Sequence, residues 1–344
     1  MRQASYRSSV EGEGASVAPP HLTPPLSAPQ GRRGGTRAAG GKVGRRWSGA
    51  LYQTFLTQLT IALFFALTLS ARAADEAQLK RGELLFKAAD CVACHTDAKG
   101  GGAPLAGGRK LETPFGIFYS PNITPDREDG IGSWSEAQFH RALREGIDQE
   151  GRYLYPVFPF TSFTGMSDAD IAALYAYLRS LPPAARPNQR YELRFPFGWR
   201  FLLMFWRTLF FHEGPLQPDP DKGSEWNRGR YLAEAVVHCQ ECHTPRNFLG
   251  GLKESEAYSG NPQGVAGVKT PNITGDDATG IGKWSVEDIA ALLKTGQTPD
   301  MDFVGSAMAE VVKGTAALDD ADRRAIAVYI KSIRPIHTEK KPAS

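Results

Sequence analysis

The sequence predicts an all-α protein made of two tandem domains, and three observations carry that prediction. An internal repeat of about 150 residues runs through the chain, the mark of one structural unit present twice. Each copy holds a Cys-x-x-Cys-His run, and each is bracketed by segments whose apolar residues recur at helical spacing.

The repeat is explicit. Ser120-Pro-Asn-Ile-Thr-Pro through Gly130-Ile-Gly-Ser-Trp134-Ser returns as Thr270-Pro-Asn-Ile-Thr-Gly through Gly280-Ile-Gly-Lys-Trp284-Ser, with 12 positions from Asn to Trp in both copies. Arg81-Gly82 and Arg228-Gly229 precede the first cysteine of each half by nearly the same distance.

The two runs, Cys91-Val-Ala-Cys94-His95 and Cys239-Gln-Glu-Cys242-His243, use all four cysteines. A Cys-x-x-Cys-His run is the attachment site of c-type haem. Each thiol forms a thioether to one porphyrin vinyl group, and the adjoining imidazole lies under the iron as proximal ligand. The competing readings are half a zinc ribbon or a redox dithiol. A four-thiolate zinc site would join pairs about 150 residues apart, far beyond ribbon spacing, and would leave each following histidine without a role. The expectation is two covalently bound haem c groups, attached at Cys91, Cys94, Cys239 and Cys242, with His95 and His243 as iron ligands.

With 344 residues and 41% hydrophobic content the chain has room for about two domains with cores. Residues 1–44 are rich in Pro, Gly, Ser and Arg and are expected to be a disordered extension. Residues 45–73 combine a basic flank at Arg45-Arg46, an apolar run around Ile61–Leu69 and Ala71-Arg-Ala73, the three parts of a secretory signal with cleavage after Ala73. An uncleaved anchor is the alternative, but the run is shorter than the roughly 20 residues a spanning helix needs. The first 73 residues hold nine Lys/Arg and two Asp/Glu, so the remainder is weakly acidic. That argues against nucleic acid as a partner. Export to the periplasm fits the attachment chemistry.

The first domain is expected over 74–185. Asp75 to Ala89 reads as a helix, and Gly82 within it implies close approach of another helix. The partner is Ser167 to Leu181, with Ser167 as N-cap, Asp168 and Asp170 in the first turn and Pro182 as the stop. Between them, Gly100 to Arg109 and Thr113 to Asn122 read as a long loop whose aromatics wrap the haem edge, and Arg109 either pairs with a propionate or is exposed. Ser135 caps a helix from Glu136 to Gly146, with Trp134 in the core. The distal position of the first haem has three readings: Met166, His140, or an open iron. In the first half Phe158 stands where the second half has Met308, and a phenyl ring cannot bind iron.

Residues 186–223 form the inter-domain connection. Its centre, 195–211, is strongly apolar but interrupted by Arg200 and Arg207, so it cannot span a bilayer; it packs between the domains or lies on a membrane or partner. The second domain is expected over 224–336, with a helix from Trp226, Met308 as distal ligand, and a closing helix from Asp319-Asp320 that presents Ile326, Tyr329, Ile330 and Ile333. Residues 337–344 read as a disordered tail.

Pro121-Asn-Ile-Thr-Pro-Asp, Leu154-Tyr-Pro, Phe195-Pro-Phe, Trp226-Asn-Arg-Gly and His238-Cys-Gln-Glu-Cys-His-Thr-Pro-Arg246-Asn resemble the cytochrome c subunits of periplasmic alcohol, aldehyde and related dehydrogenases, from about Asp75 to Ile336. The resemblance implies two class I-like cytochrome c domains with long haem-wrapping loops. It also implies electron relay, from the catalytic subunit of a periplasmic dehydrogenase to a membrane quinone or a downstream cytochrome. Members of that group with three haems exist; this chain has two motifs. The alternatives are a dihaem enzyme such as a peroxidase, using an open iron at the first haem, and a non-haem exported binding protein.

Overall fold

The computed structural model describes Gln58, 72–265 and 268–339. The predicted extension, all of the predicted signal segment except Gln58, Arg72 and Ala73, and the tail beyond Glu339 lie outside the described residues. Among the described residues no helix is long and apolar enough to cross a membrane.

Each half is framed by two crossed helices. In the first half α1 (72–88) buries Leu85, Phe86 and Ala88 against α5 (Asp168–Ser180). The Ser167 hydroxyl accepts from the Asp170 amide to cap α5, two aspartates occupy its first turn, and the helix stops before Pro182. In the second half α7 (Ser224–Tyr231) crosses α11 (Asp320–Lys331). Both crossings depend on a missing side chain: a Cβ on Gly82 would overlap the Ala173 carbonyl, and one on Gly229 the Ala325 carbonyl. The arginine before each glycine locks the crossing electrostatically. Arg81 pairs with the buried Asp170, and Arg228 with Asp322 at 2.6 Å. Beyond Tyr231 the chain takes one π-helical turn, Leu232–Val236.

The middle helices repeat as faithfully. In α3 (Glu136–Glu145) and α9 (Val286–Thr295), Ser135 and Ser285 form capping boxes with Gln138 and Asp288, and Gly146 and Gly296 end them at φ 62° and 77°. Short helices complete the frame: α2 (Cys91–His95), α4 (Phe160–Phe163), α8 (Cys239–His243) and α10 (Ser306–Thr315).

One expectation needs correction. The fold is mostly helical but not all-α. The loop expected to wrap the haem edge is an antiparallel hairpin, β1 (Lys110–Thr113) and β2 (Gly116–Tyr119), extended by β3 (Glu192–Leu193). Gly116, at φ 128°, makes the turn possible. In the second half β4 (Asn261–Val265) pairs with β5 (Val268–Thr270). The aromatics follow the strands. Phe118 packs against Tyr155 and Tyr191 with ring centres 5.3 and 5.1 Å away, and Phe115 lies 4.8 Å from Phe197. They build a satellite core against the connecting segment.

The two halves also share a core. Leu85, Phe86 and Leu174 of the first half share one buried cluster with Leu232, Val236 and Ile326 of the second, and the described residues from 72 onward belong to one compact unit. Small residues permit this closure: Gly165 sits against Ala235, and Gly314 against the Lys87 carbonyl.

The connecting segment folds back on the first half and reaches the second. Arg186 pairs with Asp97 at 3.0 Å. In α6 (Leu202–Phe210) Leu203 is buried, while the Arg207 guanidinium lies over the rings of Tyr153, Phe160 and Phe211. Trp206 Nε1 donates to the Leu249 carbonyl at 2.9 Å. The opposite side stays open: Phe195, Phe201, Phe205 and Leu209 are all more than half exposed. At the chain's end the Thr338 amide donates to Thr279 Oγ1, so the first residues of the predicted tail are held against the fold.

Candidate haem-attachment sites

Both Cys-x-x-Cys-His runs are five-residue helices entered through the same unusual backbone. Asp90 and His238, the residues before the first cysteines, stand in the left-handed region at φ 51° and 50°. That conformation costs a non-glycine residue about 1 kcal/mol or more and persists only where surrounding contacts enforce it. Here it turns the chain sharply from the preceding helix into the motif.

The histidines are fixed by carbonyl oxygens. His95 Nδ1 lies 2.8 Å from the Pro121 carbonyl, and His243 Nδ1 lies 2.8 Å from the Pro271 carbonyl. A carbonyl only accepts, so the proton sits on Nδ1 and the Nε2 lone pair is left for a metal. Burial pushes the pKa of both imidazoles down, which keeps them neutral. A proximal haem ligand needs this tautomer.

The loop that supplies each carbonyl is tied down twice. The Gly107 amide donates to the His95 carbonyl at 2.8 Å, and Gly260 to that of His243 at 2.7 Å; side chains at these glycines would strike the Pro121–Asn122 and Pro271–Asn272 backbone. Asn122 Oδ1 accepts from the amide and hydroxyl of Thr124 while its Nδ2 donates to the Ala184 carbonyl at 2.7 Å. Asn272 does the same with Thr274 and the Ile336 carbonyl. The repeated Pro-Asn-Ile-Thr thus holds each histidine and staples its loop to the chain beyond the closing helix. The repeat was visible in the sequence, but a backbone carbonyl leaves no residue-type signal.

The thiols are poorly suited both to thiolate metal ligation and to acting as catalytic nucleophiles. Burial pushes Cys91 and Cys239 up to about 12 and Cys242 up to about 11, so they stay protonated at neutral pH. Among the described residues no three His, Cys, Asp or Glu side chains converge on a metal-ion position. The fit to haem is good at both places: paired free sulfurs, and a neutral imidazole with Nε2 available.

The two motifs are neighbours. Cys94 is close enough to Cys242 to raise its pKa, and His238 Nε2 reaches the Ala89 carbonyl at 3.4 Å. The Phe163 ring stands edge-on to His238 at 5.5 Å. Glu241, inside the second motif, accepts from Thr161 and Ser162 of α4 and pairs with Arg246.

Met308 lies in the first turn of α10, half-buried against the core. Met166 is fully buried and directly precedes the α5 cap, the place that Leu318 holds before α11. His140 Nε2 is bound to Asp168 Oδ1 at 2.9 Å. Arg109, read as propionate-binding or exposed, donates to the Ala93 carbonyl and pairs with Glu310 at 3.3 Å.

A carbonyl-locked histidine behind two free sulfurs fits the haem-carrying class of proteins. Comparison with known proteins agrees. A family model for cytochrome c matches residues 79–182. One of the subunits of nicotinate dehydrogenase from Pseudomonas putida is 44% identical over 259 residues, covering 75% of this chain but 21% of that protein. A protein named diheme cytochrome c-type, from Cereibacter sphaeroides, is 42% identical over 267 residues, 75% of this chain and 87% of its own length. The fructose dehydrogenase cytochrome subunit of Gluconobacter japonicus is 40% identical over 263 residues, 76% of this chain and 53% of that protein. The chain belongs to the cytochrome c family.

Proposed function

We propose that the chain is a dihaem c-type cytochrome of the periplasm that relays electrons from a dehydrogenase catalytic subunit to a downstream cytochrome or membrane quinone system. The observation that carries this reading is the matched pair of motif histidines, each held at Nδ1 by a proline carbonyl 2.8 Å away. Cys91, Cys94 and His95 would hold one haem, and Cys239, Cys242 and His243 the other. Haem c supplies a one-electron ferric–ferrous couple. The protein's part is to fix each imidazole, exclude water with the shared core, and keep the two motifs side by side. Met308 is the proposed distal ligand of the second haem. The dehydrogenase partner is supported by relatives that are themselves named as dehydrogenase subunits.

A peroxidase-type enzyme would need an acid–base group beside the first haem. None is recognisable in the sequence around the first motif, and the symmetry of the repeat favours the relay.

The test is direct. The exported protein should carry two haems through thioether bonds, read as a mass increment of two porphyrins that survives denaturation; Cys91→Ala with Cys94→Ala should reduce it to one. Colourless protein with four alkylatable thiols would overturn the reading.

The open face of 195–211 is proposed to rest on a membrane surface. Exposed Phe195, Trp199, Phe201 and Phe205 are the residue types that settle at a lipid interface. The protein should co-sediment with phospholipid vesicles, and Phe205→Ser with Leu209→Ser should weaken this several-fold. Equal sedimentation of wild type and variant would remove the contact.

A further inference from the structure

The two halves also match in the turns that follow α3 and α9. In the first half the Asp148 amide donates to the Arg152 carbonyl, the Gly151 amide to Asp148, and the Leu154 amide to Gly146, at 3.0, 3.0 and 2.8 Å. In the second, Thr298 donates to Asp302, Met301 to Thr298, and Val304 to Gly296, at 2.8, 3.0 and 2.8 Å. The isolated bridges Ile147–Tyr153 and Gln297–Phe303 repeat as well. The chain therefore leaves both turns in the same register, and four residues beyond Leu154 and Val304 stand Phe158 and Met308. Both are half-buried and packed against the core.

A thioether is a soft donor to iron, whereas a phenyl ring has no lone pair to give. The two other candidates in the first half, Met166 and His140, are held elsewhere. Met166 fills the packing position that Leu318 fills in the second half, at 0% and 3% exposure, and its carbonyl is held by Arg144 Nη2 at 2.6 Å. His140 is committed to Asp168. Phe158 instead packs on Phe163, 5.5 Å between ring centres.

We propose that the first haem position is built without a protein distal ligand: Phe158 would offer an apolar ring where the second half offers the Met308 thioether, and the loaded site would take small neutral π-acceptor ligands such as carbon monoxide or nitric oxide, while the Met308 site would not. This rests on the haem reading above and goes beyond it, because a relay needs no open position.

Carbon monoxide titration of the reduced, fully loaded protein tests it, alongside the thioether–iron absorption of the oxidised form. Wild type should bind one carbon monoxide per two haems and show one thioether signal. Phe158→Met should abolish uptake and double the signal. Met308→Ala should double uptake and erase the signal. Met166→Leu, which places in the first half the residue the second half already uses, should change neither. Wild-type protein with two attached haems and no uptake would overturn the proposal while leaving the haem reading intact. So would increased uptake in Met166→Leu, or unchanged uptake and signal in Phe158→Met. Protein without attached haem would instead overturn the reading beneath it.

Discussion

Asn122 and Asn272 are small side chains with a large reach. Each is almost fully buried, accepts from a threonine two residues on, and donates across about 60 residues to the segment after the closing helix. Asn122→Ala should cost about 2 kcal/mol, since it strands the Thr124 groups and the Ala184 carbonyl together. Urea unfolding of the loaded protein measures this, and a loss under about 0.5 kcal/mol would mean that water replaces the amide. The cysteines and histidines were legible because chemistry demands those residue types at that spacing. The asparagines were legible only as a repeat, since nothing in a sequence says which distant carbonyl an amide will meet. Phe158 was legible as a mismatch against Met308, and the backbone register around it gives that mismatch its meaning.

Among the elements, the crossed helices were the easiest to foresee. Arg81-Gly82 and Arg228-Gly229 each encode a close approach and its ion pair within two letters, and the partner helices start at capped, acidic turns. Gly229→Ala should destabilise by about 1–3 kcal/mol, because the added methyl must push α7 away from the Ala325 carbonyl. Chemical denaturation checks it; a variant as stable as wild type would show that the crossing can open without cost. The hairpins were not foreseen. Their strands are only three to five residues long and lie in Gly- and Pro-rich stretches that read as loop, so pairing between them, not local preference, makes them strands. The two-residue β3 owes its existence to β2 alone.

At the scale of the whole molecule the repeat misleads about independence. Two copies imply two domains, yet one continuous apolar cluster runs through both, with Phe163, Gly165, Ala235 and His238 at the seam. The loaded protein should therefore unfold in one cooperative step, with tryptophan fluorescence and both Soret bands changing together. Two resolved transitions would restore the picture of separable halves. Sequence patterns report which residues are apolar on each helix but not which half each apolar face meets, and so the seam could not be read in advance.

The contact between His238 and the Ala89 carbonyl also bears on how such a chain is made. Ala89 and His238 flank the sites where porphyrin is to be joined, and they touch across the seam. Ring insertion is therefore expected to precede docking of the halves. Chains caught without porphyrin should be clipped by protease near 236–239 far faster than finished ones, and equal resistance would mean that docking does not wait.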